Sequence, residues 1–102
     1  MMRFGLPESA IEQICAIFAS HREIERAVLY GSRAKGNFKP GSDLDLTLFG
    51  TELTHELLLD LLVELDDLLL PWMIDLSLFA SLNHPALQEH INRVGVVFYQ
   101  RQ

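Results

Sequence analysis

The sequence predicts an α/β (α+β) fold, a small mixed β-sheet with helices packed mainly on one face. Two observations support this prediction. Residues 43–49 and 72–79 alternate apolar and polar side chains, which is typical of strands. The segments around them carry apolar residues at helical spacing, and strands interleaved with helices indicate a layered α/β or α+β arrangement. The predicted order is helix, strand, loop, strand, helix, strand, helix, strand.

Proline and threonine mark the ends of the predicted helices. Pro7 begins the first helix, whose inner face carries Ile11, Ile14, Cys15 and Phe18. Thr54 caps a second helix that continues to about Leu69, and Pro71 ends it. Pro85 begins the third helix. These signals separate the helices from four predicted strands: Ala27–Tyr30, Asp43–Phe49, Trp72–Phe79 and Val94–Tyr99.

Alternation assigns the acidic residues of two strands to one face. In the second strand the leucines point one way, and Asp43, Asp45 and Thr47 point the other way. Asp75 and Ser77 alternate with apolar residues in the third strand. If the two strands are neighbours, Asp75 joins the same polar face. We therefore expect an acidic cluster on the sheet face that is open to solvent.

A glycine–serine turn ends the first strand and begins a basic loop. Gly31 lets the backbone turn closely around a phosphate, and Ser32 offers a hydroxyl and an amide. Arg33, Lys35 and Lys39 place three of the eight basic residues close together in a chain of net charge -6. This local positive charge predicts a polyphosphate as the ligand of the loop.

The carboxylates that follow the loop are candidate metal ligands. Asp43 and Asp45 are separated by about 6.5–7 Å along one strand face, which lets both reach one metal ion or two adjacent ions. Asp75 is the candidate third ligand. Oxygen ligands favour Mg²⁺ or Mn²⁺. Taken alone, Asp43 could equally cap a turn and Asp45 could face solvent.

The combined motif resembles a known family. Gly31-Ser32, ten intervening residues and then Asp43-x-Asp45 is similar to the signature of the DNA polymerase beta-type nucleotidyltransferase superfamily. The run from Leu29 to Gly36 and the residues around Asp43 resemble the minimal nucleotidyltransferases, which are often partners of HEPN-domain toxins. The resemblance implies a polymerase beta-like fold over residues 1–102 as a single domain.

The resemblance also implies roles for individual residues. Gly31 and Ser32 would hold the triphosphate, Asp43 and Asp45 would bind two Mg²⁺ or Mn²⁺ ions, and Asp75 would help to activate the attacking hydroxyl. Arg33 and Lys35 are the nucleotide-binding cations expected beside them. An arginine is frequent in the family where Lys35 stands here, and lysine keeps the charge without the planar fork.

The implied activity is transfer of AMP from ATP to a tyrosine of a HEPN-type toxin, which would make the chain an antitoxin. A rival hypothesis from another class is an antitoxin that neutralises its partner by masking it, with a vestigial or regulatory nucleotide site. A third hypothesis, modification of an antibiotic as in the aminoglycoside nucleotidyltransferases, is weaker. Those enzymes use an additional domain or a dimer to hold the drug. The choice of nucleotide and any homo-oligomer stay open.

The composition indicates the cellular compartment of the protein and excludes some classes of partner. One cysteine excludes an intramolecular disulfide, and Glu8 and Glu12 within the first apolar stretch argue against a signal peptide. No apolar run approaches the roughly 18 residues that a membrane span needs. We therefore expect a cytoplasmic protein that does not associate with a membrane. The acidic balance predicts no direct nucleic-acid binding, since that needs a broad basic face.

Leucines surround the second predicted helix on nearly all sides. A helix that is apolar all round is either buried or meets a partner. A domain this small has few layers in which to bury it. We expect the Leu57–Leu69 helix, or the surface near it, to bind the HEPN partner.

Overall fold

A computed structural model describes residues 2–102 of the chain. Within that range the chain forms six strands: β1 (Met2–Arg3), β2 (Leu6–Pro7), β3 (Arg26–Tyr30), β4 (Leu44–Phe49), β5 (Ile74–Leu78) and β6 (Val96–Gln100). It also forms four α-helices: α1 (Glu8–Ala19), α2 (Ser32–Lys35), α3 (His55–Asp66) and α4 (Pro85–Val94). A 3₁₀ turn at Phe79–Ser81 follows β5.

The larger sheet has the strand order β5-β4-β3-β6. Strand β3 pairs antiparallel with both β4 and β6, whereas β4 and β5 are parallel. Helix α3 makes the crossover that a parallel pair requires. The predicted mixed sheet is therefore confirmed, and the two acidic strands are neighbours, which is the condition under which Asp75 joins the polar face.

One face of this sheet packs against α1 and α3 and forms the main core. The leucines of β4 and β5 that alternation assigned to one side all point into it. Helix α1 contributes its predicted inner face, except that Cys15 is only half-buried. The buried core consists of Leu6, Ile11, Ile14, Phe18, Ile24, Ala27, Leu29, Leu44, Leu46, Leu48, Leu61, Leu65, Leu76, Leu78 and Phe98.

Helix α4 lies against the other face of the sheet. Val28 points away from the main core because it alternates with Ala27 and Leu29. A Cβ on Gly95, the residue after α4, would lie 2.5 Å from a methyl carbon of Val28. Ile91 and Val28 are both buried there, outside the main core. The second face is thus partly covered, and its open part is the end that carries the acidic residues.

Several element ends differ from the prediction by two or three residues. The predicted cap of α3 is confirmed, because Thr54 Oγ1 accepts a hydrogen bond from the Leu57 N–H at 3.1 Å. The helix ends at Asp66 rather than Leu69, since Leu69 adopts a left-handed φ of 55°. Val94 belongs to α4, so β6 begins at Val96. The hairpin of β1 and β2, and the single-turn helix α2, were not predicted.

The longest helices, α1 and α3, have 12 residues each. No helix within residues 2–102 has the length and apolar character that crossing a membrane requires.

Candidate active site

The parallel pairing of β4 and β5 brings two predicted carboxylates together. Asp45 and Asp75 are register partners, and so are Thr47 and Ser77. Adjacent strands are about 4.8 Å apart, so the two aspartates stand side by side on the polar face. Asp45 is half-buried and Asp75 is exposed. Asp43 is exposed in the loop just before β4 rather than within the strand.

The charges of these three residues act on one another. Burial raises the pKa of Asp45 above its ordinary value, and the neighbouring Asp75 and Asp43 raise it further. Within residues 2–102, no group of three or more His, Cys, Asp or Glu side chains is arranged to hold a metal ion by itself. Carboxylate oxygens are the ligands that a hard cation prefers, and a cation would relieve the repulsion between these carboxylates. Phosphate and water oxygens would supply its other ligands.

The raised pKa of Asp45 gives a test of this repulsion. A carboxyl whose folded-state pKa lies above its unfolded-state value is most favourable to folding when protonated, and this contribution is lost as pH rises through the folded-state pKa. We expect Asp45→Asn to raise the Tm of the metal-free protein at pH 7 by a few degrees and to have little effect near pH 3.5. Thermal melts in EDTA at both pH values measure this, with exposed Glu52→Gln as the control. A Tm that falls at pH 7 would contradict it.

The glycine–serine turn is pressed against the acidic cluster. Gly31 has a φ of 78°, and a Cβ at this position would lie 2.4 Å from Oδ2 of Asp45. Tyr30, the residue before it, is the register partner of Asp45 across β3 and β4. The turn can approach the carboxylate so closely because Gly31 has no side chain and tolerates positive φ.

Helix α2 begins directly at this turn. Ser32 is its first residue, half-exposed, and the first N–H groups of any helix have no partner within it. Lys35 ends the helix and is exposed, as is Lys39 in the following loop. The structure therefore brings Ser32 next to Gly31 and leaves both lysines free to reach a ligand beside the carboxylates.

Arg33 does not lie with the exposed cations. Only 2% of its surface is exposed, and its guanidinium donates to three backbone carbonyl oxygens. Burial lowers its pKa, although a guanidinium stays protonated at neutral pH. The prediction that Arg33 contacts the nucleotide does not fit this placement, because the side chain points into the domain. Sequence spacing could not reveal this, since one of the carbonyls belongs to Phe4, 29 residues away in the chain.

Tyr30 is a neighbour of the site that the sequence reasoning missed. Burial raises the pKa of its phenol, and the nearby Asp75 and Asp45 raise it further, against the effect of a hydrogen bond with Ser77. Ser77 Oγ in turn donates to Thr47 Oγ1 at 2.9 Å. The alternation in β3 does place Tyr30 on the polar face, and that signal could have found it.

Two solved structures of toxin–antitoxin systems share this fold. One is a toxin–antitoxin with AMP-PNP, 20% identical, with a TM-score of 0.71 over 95% of this chain and 76% of that chain. The other is the toxin–antitoxin MntA–HepT, 16% identical, with a TM-score of 0.67 over 94% of this chain and 74% of that chain. At these identities the likeness establishes the fold alone.

A candidate nucleotidyltransferase from Sulfolobus solfataricus is also similar, at 17% identity and a TM-score of 0.51 over 99% of this chain and 91% of that chain. No curated protein matches the chain in sequence. The model of the family "Polymerase beta, Nucleotidyltransferase" matches residues 12–102, which is nearly the whole chain. The chain therefore belongs to the polymerase beta family of nucleotidyltransferases.

Proposed function

We propose that this protein is a metal-dependent nucleotidyltransferase that moves AMP from ATP to a tyrosine hydroxyl of a HEPN-type toxin, and so acts as its antitoxin. One observation carries the proposal. Gly31 lies against Asp45, which is paired with Asp75 on the neighbouring strand. The glycine–serine turn and two carboxylates therefore lie together at one end of the sheet. This is the combination that transfer from a triphosphate needs.

The carboxylate oxygens of the site determine which metal ion it could bind. Asp43 and Asp45 would hold Mg²⁺ or Mn²⁺, with Asp75 as the third carboxylate. When bound, the cation would supply positive charge that stabilises the leaving pyrophosphate. Ser32 and the free amides of α2 would hold phosphate oxygens, and the exposed Lys35 would add positive charge.

The proposed transfer is an in-line displacement. The acceptor hydroxyl oxygen forms a bond to the α-phosphorus of ATP, and the bond from that phosphorus to the bridging oxygen breaks. Pyrophosphate leaves with the electron pair, and the hydroxyl proton passes to Asp75 or to a water molecule beside it. The half-buried Asp45 and the adjacent Gly31 mark the end of the sheet at which the reacting phosphate would lie.

The solved neighbours support the choice of nucleotide and partner. One contains AMP-PNP, an ATP analogue, and the other is a pair in which the partner is named HepT. Together with the resemblance to minimal nucleotidyltransferases, these names favour ATP and a HEPN-type toxin.

An apolar surface beside α3 is the candidate docking site for the toxin. Val63 is 62% exposed and Leu69 is 87% exposed, with exposed Leu59 and Met73 nearby in sequence. A cleft of about 770 Å³ continues this surface between the end of α3 and β5. Leu61 and Leu65 of the leucine-rich helix are fully buried, and its other leucines except Leu59 pack partly against the core. Leu59 and Val63 are therefore the apolar side chains that the helix leaves exposed to a partner.

Substituting a charge on this surface should weaken the complex. We expect Val63→Asp to raise the Kd for the HEPN partner at least about tenfold, because a charge would lose its water in the interface. Val97→Asp is the matched control, since Val97 is a similarly exposed valine on strand β6. Isothermal titration calorimetry with both variants measures the difference. Equal affinities of the two variants for the partner would show that α3 is not part of the interface.

The exposed apolar surface also favours a second function, in which the protein masks its toxin without modifying it. Intact-mass spectrometry of the toxin after incubation with this chain, ATP and Mg²⁺ separates the two. The proposal predicts adducts of one or more AMP units. A stable complex with an unchanged toxin mass would support masking and overturn the transfer.

A further inference from the structure

We propose that Arg33 is a positioning residue that fixes the backbone at Asp43 and thereby prepares that carboxylate to bind a metal ion. The metal-binding part of this inference rests on the proposed function. The positioning of the loop by Arg33 rests on its hydrogen bonds to backbone carbonyls.

The guanidinium of Arg33 joins the loop at Pro40 and Ser42 to the turn between β1 and β2. Nε donates to the carbonyl oxygen of Ser42 at 3.0 Å, and Nη2 donates to that of Pro40 at 3.0 Å. Nη1 donates to the carbonyl oxygen of Phe4, between β1 and β2, at 2.8 Å. The Ser42 carbonyl belongs to the peptide bond that leads into Asp43, so the arginine holds the residue immediately before the carboxylate.

Two aromatic rings complete the surroundings of Arg33. The guanidinium carbon lies 5.1 Å from the ring centre of Phe38 and 5.9 Å from that of Trp72. Trp72 Nε1 donates to the Pro40 carbonyl oxygen at 3.1 Å, so the same carbonyl is held from both sides. The buried charge is thus balanced by three carbonyl dipoles and two ring faces.

The loop has few anchors besides these. Residues 36–43 contain neither helix nor strand. Ser42 and Lys39 bond to one another within the loop, and the Leu44 N–H donates to the Met73 carbonyl oxygen at 2.9 Å where β4 begins. Between these points the loop backbone is held by Arg33, at both Pro40 and Ser42, and by Trp72 at Pro40. Lysine cannot replace it, because an ammonium lacks the planar fork that reaches three carbonyls in different directions.

The test uses Arg33→Lys, with Gly5→Ala as a second route to the same disturbance. A Cβ on Gly5 would lie 2.1 Å from the Phe38 ring and 2.9 Å from Nη1 of Arg33. Trp72 is the only tryptophan in the sequence, so its emission reports on this cluster. We expect both variants to shift that emission to longer wavelength and to increase hydrogen exchange in residues 36–43. We also expect the Kd for Mn²⁺, measured by electron paramagnetic resonance, to rise at least about tenfold.

Phe18→Leu is the control for general loss of stability, because Phe18 is buried on α1 in the main core. At a matched fall in Tm it should leave the exchange of residues 36–43 and the Mn²⁺ affinity unchanged. Unaltered exchange and emission in Arg33→Lys would overturn the inference, and so would equal changes in Phe18→Leu. If the wild-type protein binds no Mn²⁺, the proposed function fails, and the exchange data still decide whether Arg33 positions the loop.

Discussion

Replacing Asp43 and Asp45 together by asparagine is expected to lower the rate of nucleotidyl transfer by about a thousandfold or more while leaving the fold intact. The amides keep the size of the side chains but remove both negative charges that would hold the cation. The fold should persist because Asp43 is exposed in a loop and Asp45 carries an unfavourable charge in the metal-free protein. Time courses of toxin modification by intact-mass spectrometry measure the rate.

The control for this double variant is Glu12→Gln with Glu52→Gln. It removes the same amount of charge from two exposed positions, one on α1 and one in the turn after β4. Its rate should match that of the wild type. Circular dichroism would establish that all the proteins are folded. Transfer that continues in the Asp43 and Asp45 variant would show that these residues are not the metal ligands.

Substituting Gly31 by alanine should lower the rate of transfer by roughly a hundredfold or more, because small displacements of a reacting group have effects of this size. The new Cβ would lie 2.4 Å from Oδ2 of Asp45, so the carboxylate or the turn must move. Alanine at a φ of 78° would also destabilise the fold by about 1–2 kcal/mol. Single-turnover kinetics with the toxin, together with thermal melts, separate the two effects.

Gly36→Ala is the matched control. Gly36 has a φ of 87°, but nothing lies within 4 Å of the Cβ that alanine would add. The variant should show a similar loss of stability from the left-handed backbone and a much smaller loss of rate. If both variants lose the same activity, strain in the loop accounts for the effect and the contact between Gly31 and Asp45 does not.

Local patterns in the sequence predicted a mixed sheet and which residues of its acidic strands share a face. Alternation around Asp45 and Asp75 assigned both to the polar side, and their pairing on adjacent strands confirms that expectation. Thr54 marked the start of α3 because capping depends only on nearby residues. These features depend on interactions within a few positions of the chain, which is why the sequence alone reveals them.

Features that depend on distant contacts were not predicted. Arg33 reads as a phosphate-binding cation in sequence, and only the folded chain brings the Phe4 carbonyl to its guanidinium. Helix α4 covers part of the second face because Gly95 permits close approach to Val28. Such contacts have no signature at fixed spacing.

The position of β3 in the sheet has a consequence for how the protein is made. Its register pairs Arg26 with Phe49 on one side and with Gln100 on the other. During synthesis the first partner leaves the ribosome early, whereas the second emerges only after almost the whole described chain. The edge of β3 that leads into Gly31 therefore stays unpaired until β6 has been synthesised and can bind to it.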